Sequence, residues 1–316
     1  MRNWELKLVR QGWADALVEL GEKNPKVVVL DADLSKSTLT CFFKEKFPER
    51  EFNIGIAEQN MVNIGAGLSI EGYIPYTATY GVFMSGRAWE QIRTTVCMNN
   101  FNVKFGGAHG GLSVGPDGAS HQALEEIAVM RCLPNMTIIV PADYSEAKKA
   151  TLAAAEIVGP VYLRFGREKL PVVSSDDDEF IVGKAKLMQE GTDVTIVACG
   201  AMVAEALDAA DELKEKGISA EVINLHTVKP IDSEALIKSV KKTNALVTAE
   251  EHQLMGGMGS AVFEVIAQHY PVPAEMVGIK DTFGESGTPA ELFEKYGCKS
   301  KNIVEKVLEV LKRKNK

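Results

Sequence analysis

A single carboxylate in an apolar setting, Glu58 within Phe52-Asn-Ile-Gly-Ile-Ala-Glu-Gln-Asn-Met61, is the first residue of this sequence placed to do chemistry. A strand-like run precedes it and an apolar helix, Met61 to Ile70, follows, so the carboxyl group is expected to be largely withdrawn from water. Withdrawal favours its neutral form and suits it to share a proton with a ring nitrogen. The same position also fits a helix-opening carboxylate set against the macrodipole.

A second stretch, Gly106-Gly-Ala-His-Gly-Gly-Leu-Ser-Val-Gly-Pro-Asp-Gly-Ala-Ser-His-Gln122, presents His109, Asp117 and His121 among many glycines. Glycine lets backbone approach a ligand closely, although a flexible surface loop has the same composition. Tyr80-Gly-Val-Phe83 precedes a helix carrying Trp89, and its aromatics serve either core packing or a hydrophobic cup for a flat heterocycle. Two motifs are set aside. Gly256-Gly-Met-Gly-Ser-Ala261 departs from the dinucleotide fingerprint and reads as a helix-opening turn. The acidic run Asp176 to Glu179 reads as a solvated spacer rather than a metal site.

The elements that must hold these residues alternate. Apolar runs at Val27 to Leu30, Ile74 to Ala78, Val103 to Phe105, Thr137 to Val140 and Val161 to Phe165 have the look of strands buried on both faces. Helix-like segments fall near 5–20, 58–70, 84–97, 122–130 and 143–157. The alternation implies a parallel sheet covered by helices. A break follows at Pro171-Val-Val-Ser-Ser-Asp-Asp-Asp-Glu179, and βα alternation then restarts at Val194. The reading is α/β, with two consecutive open-sheet domains over residues 1–171 and 183–316, joined by a linker at 172–182.

With 46% hydrophobic and 25% charged residues, the 316-residue chain has the composition of a folded globular protein. A net charge of −8 argues against a broad nucleic-acid footprint, while leaving room for small anions. No run approaches the ~20 apolar residues of a membrane span, and the charged N-terminus does not resemble a signal peptide. Five scattered cysteines read as reduced thiols, so the expected location is the cytoplasm, with no membrane partner.

Four motifs in register, Asp31-Ala-Asp-Leu-Ser-Lys-Ser37, Ile56-Ala-Glu-Gln-Asn-Met61, Asp117-Gly-Ala-Ser-His-Gln122 and Arg131-Cys-Leu-Pro-Asn-Met136, resemble the pyrimidine-binding domain of transketolases. The likeness continues through Gly166-Arg-Glu-Lys-Leu-Pro171 into a second domain that resembles the transketolase C-terminal domain. The resemblance implies a thiamine diphosphate-binding (pyrimidine) domain followed by a transketolase C-terminal-like domain. The sequence lacks the family's Gly-Asp-Gly metal-binding motif and begins at the helix that opens the pyrimidine domain. It therefore resembles one subunit of a split transketolase. A separate N-terminal subunit would carry the diphosphate-binding domain and a divalent metal, Mg2+, within an α2β2-like assembly.

By that resemblance, Glu58 matches the glutamate that bonds the coenzyme's aminopyrimidine nitrogen. Tyr80 and Phe83 match aromatics around that ring, and Asp33 falls near the thiazolium ring. The family's third aromatic position is Gly86 here, so the cup is expected to be looser. His109 and His121 match two histidines of the site, His121 being better placed for proton transfer. Asp117 matches an aspartate that reads a donor-sugar hydroxyl, and Arg10, Ser37, His109 and Arg167 match positions that bind the sugar phosphate. The implied reaction moves a two-carbon ketol unit from a ketose phosphate to an aldose phosphate.

Three alternatives remain at this point. A 1-deoxyxylulose-5-phosphate synthase-like enzyme shares the Asp-Gly-x-x-His-Gln loop, but Ala108-His-Gly-Gly111 favours transketolase. A 2-oxoacid dehydrogenase β subunit has the size and layout but not the loop. A non-catalytic homologue that only binds a partner or a regulatory ligand is the third, and the presence of Glu58, both loop histidines and Arg167 speaks against it.

Overall fold

The computed structural model describes residues 2–314. In chain order its strands are β1 (Leu6–Leu8), β2 (Val27–Asp31), β3 (Glu51–Asn53), β4 (Ile74–Tyr80), β5 (Lys104–Ala108), β6 (Thr137–Ile139), β7 (Val161–Phe165) and β8 (Lys169–Pro171). There follow β9 (Lys186–Gln189), β10 (Val194–Ala198), β11 (Ala220–Asn224), β12 (Thr227–Lys229), β13 (Leu246–Gln253) and β14 (Ala274–Ile279).

The first domain is built on a sheet of order β12-β6-β7-β5-β4-β2-β3, and the second on a sheet of order β14-β13-β10-β11-β9. Strands β2, β5, β7, β10 and β11 are buried at every position, as strands covered by helices on both faces must be. The expected parallel pairing holds in the centres of both sheets, but β12 and β9 add antiparallel edges. These strands hold three and four residues, too few for an apolar run to announce them. Notably β12 follows β11 of the second domain in sequence yet completes the edge of the first sheet.

Helix packing fixes the entrance of the chain. Helix Val9–Lys23 lies against helix Tyr144–Ala155, and Gly12 makes the approach possible: a Cβ there would stand 2.2 Å from the Tyr144 carbonyl. Its neighbour Trp13 stacks on Phe165 at 5.1 Å and meets Tyr76 edge-on, tying the helix to β7 and β4.

The segment after β8 does not hang free. Asp143 caps the helix it precedes, accepting from Glu146 N at 2.9 Å, and also accepts from Val173 N and Ser174 N at 2.8 and 2.7 Å. Ser145 donates to Asp176, and Lys186 pairs with Asp178. Part of the acidic run is therefore fastened to the first domain. Among the described residues, no helix is long and apolar enough to cross a membrane.

Candidate functional site

The site gathers at the carboxyl ends of β2, β4, β5 and β7, where open α/β sheets leave a crevice for ligands. Glu58 enters it from a tight turn. Asn53 Oδ1 accepts from Gly55 N at 2.8 Å, Gly55 adopts φ +79°, and helix Glu58–Ile70 begins three residues later. Glu58 is only 4% exposed, and Arg87 Nη1 donates to its Oε1 at 2.9 Å. Ile56, Ala57, Gln59 and Asn60 line the open hollow around this pair.

Beside the hollow stands an aromatic wall. Tyr80, the last residue of β4, stacks on His109 at 4.0 Å between ring centres and on Phe83 at 5.7 Å. His121 meets both Tyr80 and Phe83 edge-on, at 5.7 and 5.4 Å. Helix Gly81–Arg87 carries Phe83 and brings the Arg87 guanidinium 3.9 Å above its ring.

His109 is held in the left-handed region at φ +60°, and its buried Nδ1 has no hydrogen-bond partner among the described residues. Burial pushes its pKa down to about 3, helped by the positive charges of Arg10 and Arg167 and by His121. Its ring is neutral, with one unpaired nitrogen among aromatic neighbours. His121 Nδ1 lies 2.9 Å from Ser120 Oγ.

The cations form the third part. Arg10, in the first turn of helix Val9–Lys23, donates from Nη1 to the Ser37 carbonyl at 2.7 Å, while its buried Nε is unpartnered. Burial and the charge of Arg167 hold the Arg10 guanidinium below its ordinary pKa. Arg167 donates to Asp117 Oδ1 at 2.9 Å and to the Val114 carbonyl at 3.3 Å.

Phe83, His109 and His121 thus cluster around Tyr80, Arg87 links Glu58 to Phe83, and Arg10 and Arg167 lie near enough to bear on the His109 ring. Asp33 stands apart at the rim, exposed, accepting from Asn53 Nδ2 at 2.9 Å. Ser37 is present through its carbonyl rather than its hydroxyl. Nothing lies within 4 Å of a Cβ added at Gly86, so that side of the wall is open.

Sequence reasoning passed over Arg87, although it lies four residues after Phe83 and so on the same helical face. It also passed over a buried charge cluster at the base of the glycine loop. Arg164 on β7 pairs with Glu126, donates to the Glu251 carbonyl at 3.0 Å, and lies 3.8 Å from Glu251 Oε1. Burial works against the Arg164 charge, but the two glutamates outweigh it and raise its pKa. The signal available was the pair of carboxylates in Ala249-Glu-Glu-His252, inside a strand that is buried through His252.

The turn at Gly256-Gly257 does open a helix, Met258–His269, and Glu250 accepts from Met258 N and Gly259 N, each at 2.7 Å. A Cβ at Gly257 would stand 2.4 Å from that carboxylate, which explains the glycine without a nucleotide.

Comparison with known proteins adds independent findings. Residues 7–173 match the family model "Transketolase, pyrimidine binding domain" and residues 183–303 match "Transketolase, C-terminal domain". A solved structure titled "Split gene transketolase, inactive beta4 tetramer" superposes with a TM-score of 0.91 at 51% identity, covering 97% of this chain and 99% of that one. A Methanocaldococcus jannaschii protein named "Putative transketolase C-terminal section" is 45% identical over 310 residues, 97% of each chain. The 6-deoxy-6-sulfo-D-fructose transketolase subunit SqwH of Clostridium sp. is 42% identical over 316 residues, covering 99% of this chain and 98% of its own. With both domain models in sequence and relatives matched end to end, the chain belongs to the transketolase family, in the form of its pyrimidine-binding and C-terminal domains.

Proposed function

We propose that this chain is the pyrimidine-side subunit of a split transketolase, transferring a two-carbon ketol unit from a ketose phosphate to an aldose phosphate. A separate subunit would hold the coenzyme's diphosphate and its divalent metal, Mg2+, in an α2β2-like assembly. We assign the reaction to the cytoplasm, where its five unpaired cysteines would stay reduced. The observation that carries the reading is Glu58: a buried carboxyl at a helix start, facing an open hollow beside an aromatic wall.

The residues fit thiamine diphosphate. Glu58 offers a carboxylate to a ring nitrogen, and Tyr80 and Phe83 offer flat apolar faces. When bound, the coenzyme supplies the electron sink for breaking a carbon–carbon bond beside a carbonyl. Glu58 would hold a proton at the pyrimidine nitrogen, and the neutral His109, with its free Nδ1, would accept or donate a hydrogen bond to the substrate. His121, set edge-on to Tyr80 and Phe83, would move a proton at the substrate oxygen. Asp117 would read a sugar hydroxyl, Asp33 would contribute at the rim, and Arg10 and Arg167, with Ser37 and His109, would clamp the substrate's anionic end.

Arg10 and Arg167 would recognise negative charge and paired oxygen acceptors rather than phosphorus, so a terminal sulfonate, as in the sugar named for the Clostridium relative, is the comparator substrate. The test mixes this chain with a diphosphate-binding transketolase subunit, Mg2+ and thiamine diphosphate, and follows ketol transfer from xylulose 5-phosphate to ribose 5-phosphate. Turnover only in the mixture supports the reading; a mixture inactive with both phosphosugars and sulfosugars would overturn it.

A further inference from the structure

We infer that Glu251, in the second domain, is a positioning residue that fixes the glycine loop of the first domain and thereby sets where His109 and Asp117 stand; the inference rests on the function proposed above.

Both oxygens of its carboxylate grip one residue. Ser113 N donates to Glu251 Oε2 at 3.0 Å, and Ser113 Oγ donates to Oε1 at 3.1 Å. Ser113 lies midway between His109 and Asp117 in sequence. The loop needs such a grip. Gly111, Gly115 and Gly118 adopt φ of +86°, +75° and +73°, and glycine loses the most conformational freedom on ordering.

The anchor itself is rigid. Glu251 is 2% exposed, and Arg164 reaches both its carboxylate and its carbonyl. Gly111 is pressed so closely onto it that a Cβ would stand 2.3 Å from the carboxylate. The far end of the loop is held by the same domain: Gln122 donates to the Glu285 carbonyl at 2.9 Å and to the Gly115 carbonyl at 3.2 Å. The second domain therefore bears on the site without touching the hollow. Its carboxylate holds the stem from which the loop's polar groups project.

Two variants test this. In Ser113→Ala the hydroxyl bond to Glu251 is lost while Arg164 keeps its contacts with Glu126 and Glu251. In Glu251→Gln the amide oxygen still accepts from Ser113 N and the amide NH2 donates to Ser113 Oγ, so the loop keeps its tie while the charge is lost. Amide hydrogen exchange on the full chain should show residues 109–118 opening about tenfold faster in Ser113→Ala, with β4 and β10 unchanged, and within about threefold of wild type in Glu251→Gln. In the mixture with the diphosphate-binding subunit, Ser113→Ala should lose about tenfold in kcat/KM with coenzyme affinity unaltered.

Loop exchange unchanged in Ser113→Ala, or accelerated equally in every element, would overturn the inference. So would faster loop exchange with an unaltered kcat/KM. An inactive wild-type mixture would count against the transketolase reading instead, because the exchange measurement needs no turnover.

Discussion

Arg87 donates to Glu58 at 2.9 Å while lying 3.9 Å above the ring of Phe83, so one guanidinium covers both surfaces that a flat heterocycle would use. It is planar and presents N–H donors, the features an aminopyrimidine would bring to the same carboxylate. On the function proposed above, the coenzyme would displace it. Because Arg87 is half exposed, the displaced pair is worth at most ~1 kcal/mol, a factor of about five in affinity. Arg87→Ala should tighten thiamine diphosphate binding in the assembled enzyme by up to that factor, measured by fluorescence titration; weaker binding would show that Arg87 instead helps to hold the coenzyme.

Glu58→Ala removes the carboxyl group proposed to hold the proton. Among the described residues its only side-chain bond is to half-exposed Arg87, so stability should fall by no more than about 1 kcal/mol. Turnover in the mixture should fall more than about 100-fold, the usual scale of acid–base assistance. Near-normal turnover with an unchanged melting curve would contradict the assignment.

Arg167→Ala should raise KM for phosphorylated sugars at least about tenfold, with little change for unphosphorylated ones. The change also frees Asp117 from its ion pair, so the comparison between the two sugar classes, not the absolute KM, is the measurement. An equal effect on both classes would assign Arg167 to loop packing through Val114.

His226 gives a stability signature. It is buried against Phe180 at 4.2 Å, and burial, with the nearby charge of Lys186, lowers its pKa from 6.5 to about 4. The fold thus favours the neutral ring. Its stabilising contribution is complete above pH 6.5 and is lost as pH falls from there toward about 4, at about 1.4 kcal/mol per pH unit before solvent relaxation. The buried glutamates Glu126 and Glu251 titrate in the opposite sense, so the difference between wild type and His226→Gln isolates the histidine. That difference in melting temperature should shrink between pH 6.5 and 4; a constant difference would refute the shift.

Much of this arrangement could be read from the chain because its signals are local. Glu58 sits where an apolar run meets an apolar helix, and Tyr80 closes a strand that the hydrophobic pattern marks clearly. The two histidines lie in a loop whose glycines announce unusual backbone. The pairing of Glu251 with Ser113 could not be found this way, since the two lie 138 residues apart in sequence. Only the docking of the second domain brings them together. Strand β12 was missed because three residues ending at Lys229 carry no periodicity.

That short strand makes the first domain depend on the second for its completion. Thr227 and Lys229 supply the outermost rung against Ile139 and Ile138, so a fragment ending between residues 172 and 182 would leave β6 without that edge partner. An amino-terminal fragment made alone would present raw backbone donors and acceptors to any neighbouring chain and tend to aggregate. Supplied together, the two fragments should find each other again, as pieces of a single cooperative object.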